Sequence, residues 1–287
     1  MNITITYGFP DAPLSEALQH LMIPRKTRHF LRTRKDVLIN GESHPFHTLV
    51  KTGDQLTLKF HQDDYPPYHV IPSYRPVDVV YEDEHLIIVN KPIHQKTHPN
   101  EPTESHTLLN DVMGYLEQKG AQTHHFMAQP YVVHRLDKET SGLVLFAKNP
   151  VILPLLTQIL EQKNIHRDYE AIATGLIHHA QTIDKPIGRS RHDKRKRQID
   201  AHGKRAITHL HVINHQDGNT RIRCTLETGR THQIRVHLAS IGHPLLGDPL
   251  YNKKATNTKR LYLHAYRLHF IHPLTFETID VTSPVPF

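Results

Sequence analysis

The chain holds a single cysteine and no tryptophan in 287 residues. One thiol, Cys224, excludes a disulfide framework and any zinc site built on several cysteines. No stretch approaches the roughly 18 consecutive apolar residues that a spanning helix needs, so no membrane segment is expected. The opening Met1-Asn2-Ile3-Thr4-Ile5-Thr6-Tyr7 lacks the charged-then-apolar order of a secretory signal. A soluble, reduced, cytoplasmic protein is the expectation. Apolar residues make up 37%, low but above the disordered range, because Leu, Ile, Val and Phe recur throughout. The length allows one large domain or two smaller ones with a proper core.

What is abundant is positive charge and histidine. Lys and Arg total 35 against 28 Asp and Glu, a net charge of +7, and there are 27 histidines. The basic balance favours a polyanionic partner. The histidines could mean a metal, a pH-responsive surface or a compositional bias, which only position can separate. His124-His125 and His178-His179 are adjacent pairs, which point apart on a strand, and His209 and His211 share a strand face without a third ligand. His232 and His237 lack the Glu-containing arrangement of a zinc protease. No metal and no cofactor are expected.

Residues 1–60 read as a small module. Leu14, Ala17, Leu18 and Leu21 fall on one helical face, and Arg25 to Arg32 form a second, basic helix after Pro24. Val37-Leu38-Ile39 enters an Asn-Gly turn, and 55–60 alternates as a strand. Residues 61–76 carry Pro66, Pro67, Pro72 and Pro76 and read as a stiff linker. Residues 77–287 read as one domain, with strands at 77–80, 86–89, 131–133, 142–147, 169–173, 206–212, 220–226, 262–270 and 276–281. Helices are expected at 108–116, 151–160 and 231–241. Many strands with irregularly placed helices predict an α+β fold with a mixed, largely antiparallel sheet. No apolar seam suggests a partner subunit, so a monomer is expected.

Three segments stand out chemically. His134-Arg135-Leu136-Asp137-Lys138-Glu139-Thr140-Ser141-Gly142 packs acids, cations and hydroxyls between two apolar strands; its plain alternative is a capped turn with surface ion pairs. In Thr228-Gly229-Arg230-Thr231-His232-Gln233-Ile234-Arg235-Val236-His237, Gly229 can turn sharply, Thr231 suits a helix N-cap, and His232 and Arg235 lie one turn apart on a face. The plain alternative is an amphipathic helix with solvated cations. Residues 189–205 carry Arg189, Arg191, Lys194, Arg195, Lys196, Arg197, Lys204 and Arg205 against Asp193 and Asp200. Such density suits a flexible arm that orders on phosphates, or else a solvated loop.

The runs at 134–142 and 228–237, in this order, resemble the RluA/RluD-type RNA pseudouridine synthases. Asn90-Lys91-Pro92 with Thr97-His98-Pro99, Arg167-Asp168-Tyr169-Glu170-Ala171, residues 241–251 and Leu263-His264-Ala265 resemble further segments of that family. The resemblance covers 77–285. Residues 1–60 look more loosely like the small α/β RNA-binding module that often precedes the catalytic domain, in a degenerate form. His94 stands where the family has a Gly, and so must adopt that residue's backbone conformation.

The resemblance implies a pseudouridine synthase-like fold and an isomerase that breaks the N1–C1′ bond of uridine and joins C1′ to C5. It assigns the key carboxylate to Asp137, which could attack covalently or take a sugar proton. One carboxylate suffices, because the base is retained and no water is delivered, unlike a glycosidase. Arg235 is expected to pair with Asp137 in a bidentate fork and keep it ionised. Tyr169 would stack on the base and take the C5 proton. His134 and Arg135 would hold the flipped nucleotide, with Arg230 and His232 beside it. Arg25, Lys26 and Arg28 with the 189–205 cations would hold RNA, implied to be large-subunit ribosomal RNA or tRNA. An inactive RNA-binding or ribosome-assembly protein is the alternative, and a base-releasing glycosidase a further one.

Overall fold

The computed structural model describes residues 2–61, 69–120, 122–123, 126–253 and 258–287. Pro66 and Pro67 of the expected linker and the His124-His125 pair lie outside them. Among the described residues, no helix is long and apolar enough to cross a membrane.

The first part runs β1 (Asn2–Thr6), β2 (Ala12–Pro13), α1 (Leu14–His20), α2 (Arg25–Arg34), β3 (Val37–Ile39), β4 (Glu42–Ser43), β5 (Leu49–Val50) and β6 (Gln55–Lys59). β1, β6, β3 and β4 form a small antiparallel sheet. Ile3 and Ile5 alternate inward from β1 as Leu56 and Leu58 do from β6, the period-2 pattern of a half-buried strand. α2 ends at Lys35 in the left-handed conformation, φ +57°.

Next come β7 (Val79–Glu82), β8 (Leu86–Lys91), α3 (Leu108–Gln118), β9 (Gln122–Thr123), β10 (Phe126–Met127), β11 (Tyr131–Val132), β12 (Ser141–Ala147), α4 (Ile152–Glu161) and β13 (His166–Thr174). β14 (Gln181–Asp184), β15 (Ile187–Arg189), β16 (Arg197–Ile199), β17 (Ile207–Gln216), β18 (Asn219–Leu226), α5 (Gln233–Ser240), β19 (Leu263–Ile271) and β20 (Thr278–Thr282) complete the chain. The large sheet has the order β14-β17-β18-β13-β19-β12-β8-β7, with β11 on β12 and β20 on β19. Its pairings are antiparallel except β12 with β19. The fold is thus α+β, as the periodicities imply.

β12 is buried at every position because both sheet faces are covered. Leu143 and Leu145 join a core that also holds Leu86, Ile152, Phe270 and the apolar residues of β1, α1 and β6. Val144 and Phe146 join the opposite core with Ile87, Tyr169, Leu263, α3 and α5.

Two expectations need correction. Residues 189–205 are not an unstructured arm: β15 and β16 pair as a hairpin. Gly203 lets the chain press on Ile187, and Gly188 lies against Asp200, so packing at small residues offsets the repulsion among the exposed cations. Thr231 is not the cap of α5. That place falls to His232 at φ +59°, with no side-chain cap bond. His94 does take the left-handed backbone, at φ +64°, a conformation open to His more readily than to branched residues.

The parallel step places Gly142 beside Ala265. Gly142 has φ +119°, and a Cβ there would sit 2.2 Å from the Ala265 carbonyl oxygen. Gly142→Ala combines backbone strain with a main-chain clash and should cost about 3 kcal/mol or more. Urea unfolding followed by circular dichroism measures it.

Candidate active site

The loop 134–140 joins β11 to β12 and is fastened at each end. At its start, the Leu145 amide donates to His134 Nε2 at 3.2 Å. Thr97 clasps Leu136 both ways: its hydroxyl donates to the Leu136 carbonyl at 2.9 Å and accepts the Leu136 amide at 3.1 Å. Lys91, with no exposed surface, reaches from the end of β8, and its Nζ donates to the carbonyls of Pro92, Gln95 and Lys138. Burial pushes this ammonium down to about 7, against the pull of Asp137 and Glu139. At the loop's end, Ser141 Oγ accepts from Arg260 Nη2 at 2.7 Å and lies 2.8 Å from His264 Nδ1. His264 Nε2 then lies 2.9 Å from the Ser283 hydroxyl.

The facing wall is the start of α5. Gln233 is buried and fully used. Its Oε1 accepts the Thr228 hydroxyl and the Arg230 amide, and its Nε2 donates to the Ile207 carbonyl and Thr208. That lock fixes the turn 228–232 against β17. One turn on, Arg235 is the largest fully buried side chain among the described residues.

Arg235 does not form its fork with Asp137, and this corrects the expected pairing. Nε and Nη2 each donate to Asp248 at 2.8 Å. Asp248 has no exposed surface and also accepts the Leu250 and Tyr251 amides. Only Nη1 faces the loop, 3.5 Å from Asp137 Oδ2 and 3.6 Å from Glu139 Oε2. Burial works against the guanidinium charge, but the Asp248 bonds and the two loop carboxylates outweigh it and raise its pKa. Asp248 falls within the family-like segment 241–251, where the sequence suggests no role for it; an acid between Gly247 and Pro249 reads as a turn residue until its partner is known.

His232 Nε2 is 3.9 Å from Asp137 Oδ2. Its Nδ1 is 2.9 Å from the Tyr251 hydroxyl, which accepts the Arg197 amide at 2.7 Å. The Arg235 guanidinium stands 5.3 Å from the Tyr251 ring centre. Tyr251 therefore connects the basic hairpin to the residues around Asp137.

These walls enclose a cavity of about 620 Å³ lined by His134, Arg135, Asp137, Tyr169, Arg230, His232 and Arg235 among others. The seven residues expected to carry the chemistry or hold the nucleotide thus come together. Tyr169 is 5% exposed, and burial pushes its phenol up while Arg167 opposes this. β13 shifts register against β19 between Asp168 and Tyr169, an irregularity of the kind that re-aims side chains beside sites. Arg135 is exposed on the rim. Arg230 donates to the Arg205 carbonyl.

His134 does not fit the role of a nucleotide-holding cation. It is 6% exposed, its Nε2 accepts the Leu145 amide, and burial pushes its pKa down to about 3. It is a neutral strut under the loop.

The remaining cations lie outside the cavity. Arg25, Lys26 and Arg28 are on α2, where Lys26 stands 5.7 Å from the Phe30 ring centre. Arg189, Arg191, Lys194, Arg195, Lys204 and Arg205 are exposed, Lys196 and Arg197 half-buried. Two have acid partners, Arg195 with Asp193 at 3.0 Å and Arg205 with Asp184 at 3.6 Å. Among the described residues, no group of three His, Cys, Asp or Glu is placed to hold a metal.

The mixed sheet thus carries a cavity in which Asp137 stands beside a fixed arginine, with a buried tyrosine in its wall and cations at its rim, and comparison with known proteins gives the class as RNA-modifying. Residues 85–240 match the family described as RNA pseudouridylate synthase, and 1–56 match the RluD ribosomal pseudouridine synthase N-terminal domain. The chain belongs to the RNA pseudouridine synthase family and is an isomerase. It is 39% identical over 257 residues to the RNA pseudouridine synthase YhcT of Bacillus subtilis, covering 88% of this chain and 83% of that one. Identity to the ribosomal large subunit pseudouridine synthase D of Vibrio parahaemolyticus is 37% over 271 residues, 87% and 79% of the two chains. The structure of human RNA pseudouridylate synthase domain containing 1 superposes with a TM-score of 0.62 at 26% identity, covering 75% of this chain and 86% of that one.

Two predictions come from this geometry. Asp248→Asn leaves Arg235 buried with one close counter-charge removed, and should cost about 3 kcal/mol with loss of activity; denaturant titration and a pseudouridine assay read both. His134 and His264 are pushed by burial from 6.5 down to about 3 and about 4. Below pH 6.5 the unfolded chain therefore binds protons that the folded chain refuses. Stability should fall as pH drops from 6.5 toward 4, by about 1.4 kcal/mol per pH unit for each histidine. Chemical denaturation at several pH values measures the slope, and His264→Gln should make it shallower.

Proposed function

We propose that the chain isomerises uridine in large-subunit ribosomal RNA, with Asp137 as the reacting carboxylate. The observation that carries this reading is the position of Asp137. It is half-buried in the cavity, 3.5 Å from a guanidinium that Asp248 holds rigid and 3.9 Å from His232. The ribosomal target is supported by relatives named as large-subunit synthases.

Each group has one task. Asp137 opens the reaction, either by covalent attack or by taking a sugar proton, with Arg235 Nη1 stabilising its charge. Tyr169 is a flat, buried platform for the extruded base and takes the C5 proton at the end. Arg135 and Arg230, at the rim, hold the nucleotide backbone, and an exposed cation such as Arg135 can occupy the space the base leaves. The cations of α2 and of the β15–β16 hairpin hold the RNA from two sides, residues 1–60 acting as a holding unit for the catalytic unit 77–287. The enzyme acts as a cytoplasmic monomer.

Glu139 shares Arg235 with Asp137 but does not line the cavity. Of the other acids that line it, Glu227 is already paired with Lys163 at 2.9 Å and His209 at 2.8 Å and Glu161 is exposed, which favours isomerisation over base release.

Asp137→Asn should abolish pseudouridine formation while RNA affinity stays within about threefold, since phosphate contacts dominate affinity. Pseudouridine mapping of large-subunit ribosomal RNA from a deletion strain, complemented with wild type or Asp137→Asn, tests both the target and the residue. Restoration by the variant, or a missing modification in tRNA instead, would refute the respective part.

A further inference from the structure

Arg167 lies two residues before Tyr169 on β13, so both side chains leave the same strand face and line the cavity. Its guanidinium rests on the Gly229 backbone: a Cβ at Gly229 would meet Nη1 at 3.0 Å and Nη2 at 3.4 Å. Among the described residues, the Arg167 side chain has no hydrogen-bond or ion-pair partner, and its Nε is sealed from solvent without one. The adjacent acid, Asp168, is engaged elsewhere, accepting from Thr225 at 2.8 Å and standing 4.0 Å from Arg267. Arg235 has three carboxylates within 4 Å; among the described residues Arg167 has none that close.

An unsatisfied buried donor costs about 1–3 kcal/mol, which an acceptor on a ligand would relieve. Phosphates are strongly hydrated and fit the exposed rim, where Arg135 and Arg230 stand. Inside, negative charge arises from the reaction itself. When the N1–C1′ bond breaks, its electron pair stays on the uracil ring, spread over N1 and the carbonyl oxygens. When C5 joins C1′, the ring returns a pair to the new bond and loses the C5 proton.

We infer that Arg167 holds the detached uracil, donating to a ring carbonyl oxygen and stabilising the negative charge the base carries between bond cleavage and rejoining. The inference rests on the pseudouridine-forming reading above. Arg167 gives up no proton and needs no co-reactant. It acts where charge develops, which is where a fixed donor accelerates a reaction most. The same charge opposes the effect of burial on the Tyr169 phenol, favouring proton removal from C5.

The test uses ribosomal RNA from the deletion strain, under single-turnover conditions with enzyme in excess. Arg167→Gln should slow the rate about 10²–10³-fold, the loss typical of removing one donor to a developing anion, with RNA Kd within about twofold. Arg167→Lys should fall between, and added guanidinium ion should partly restore Arg167→Ala. Gly229→Ala keeps the charge but displaces it, and should slow the same step less. An unchanged rate in Arg167→Gln would overturn the inference. So would a loss residing in Kd with a salt slope reduced by about one, which marks a phosphate contact. Wild-type protein that forms no pseudouridine on this RNA overturns the parent reading instead.

Discussion

A guanidinium without exposed surface has to be neutralised where it stands, and the site is arranged around that requirement at Arg235. Asp248 satisfies two nitrogens in a fork and is itself held by the Leu250 and Tyr251 amides. The third nitrogen is left pointing at the loop that carries Asp137 and Glu139. Fork geometry restricts the rotation of the planar group, so Nη1 has a fixed direction. The carboxylate proposed to react, Asp137, is thus set by a charge it does not own. Breaking such a buried pair is costly because the remaining ion has no water to turn to. Gln233, Tyr251 and the parallel step at Gly142 bring that nitrogen and that loop to the same place.

Much of this was legible. Strands buried on both faces, such as 142–147, read as continuous apolar runs, and α3 and α4 follow their helical spacing to within two residues. The two polar runs announce a site because such composition is costly between buried strands. What could not be read is what depends on distance in space. Nothing local says that Asp248 rather than Asp137 takes the fork of Arg235. Nor does charge density reveal that residues 189–205 form a hairpin, since contacts at Gly188 and Gly203 decide it. Thr231 is a better cap by type than His232, but Gln233 bonds back to Thr228 and Arg230 and draws the turn one residue further on.

The histidines separate by burial more than by sequence position. His134, His237, His264 and His272 are buried, and each is pushed towards the neutral form, chiefly by burial. As neutral rings they accept at one nitrogen and donate at the other, which suits them to bridging main-chain and hydroxyl groups across strands. His237 does this between Thr208 and the Lys185 carbonyl, and His264 between Ser141 and Ser283. Others, such as His209 on Glu227 and His61 on Asp36, sit beside carboxylates nearer the surface. The buried minority of the histidines is therefore structural, while most of the described ones stay at or near the surface.

The cations then fall into three electrostatic grades, and each grade suits one stage of handling a polyanion whose base must react out of water. Exposed residues of α2 and the hairpin act over a Debye length and are screened by salt, so in the proposed role they recruit RNA without choosing a base. Arg235 is neutralised before any substrate arrives, so its charge cannot attract; it can only orient. Arg167 lies between these limits, half-buried and uncompensated, where the lower dielectric strengthens whatever acceptor reaches it. A site in which every cation were paired would position the uridine but give nothing to the anion formed when its bond breaks. One in which none were paired would bind phosphate in the pocket and exclude the base. The distribution of acids, more than the number of bases, is what turns a basic surface into a place where a glycosidic bond can open and close again.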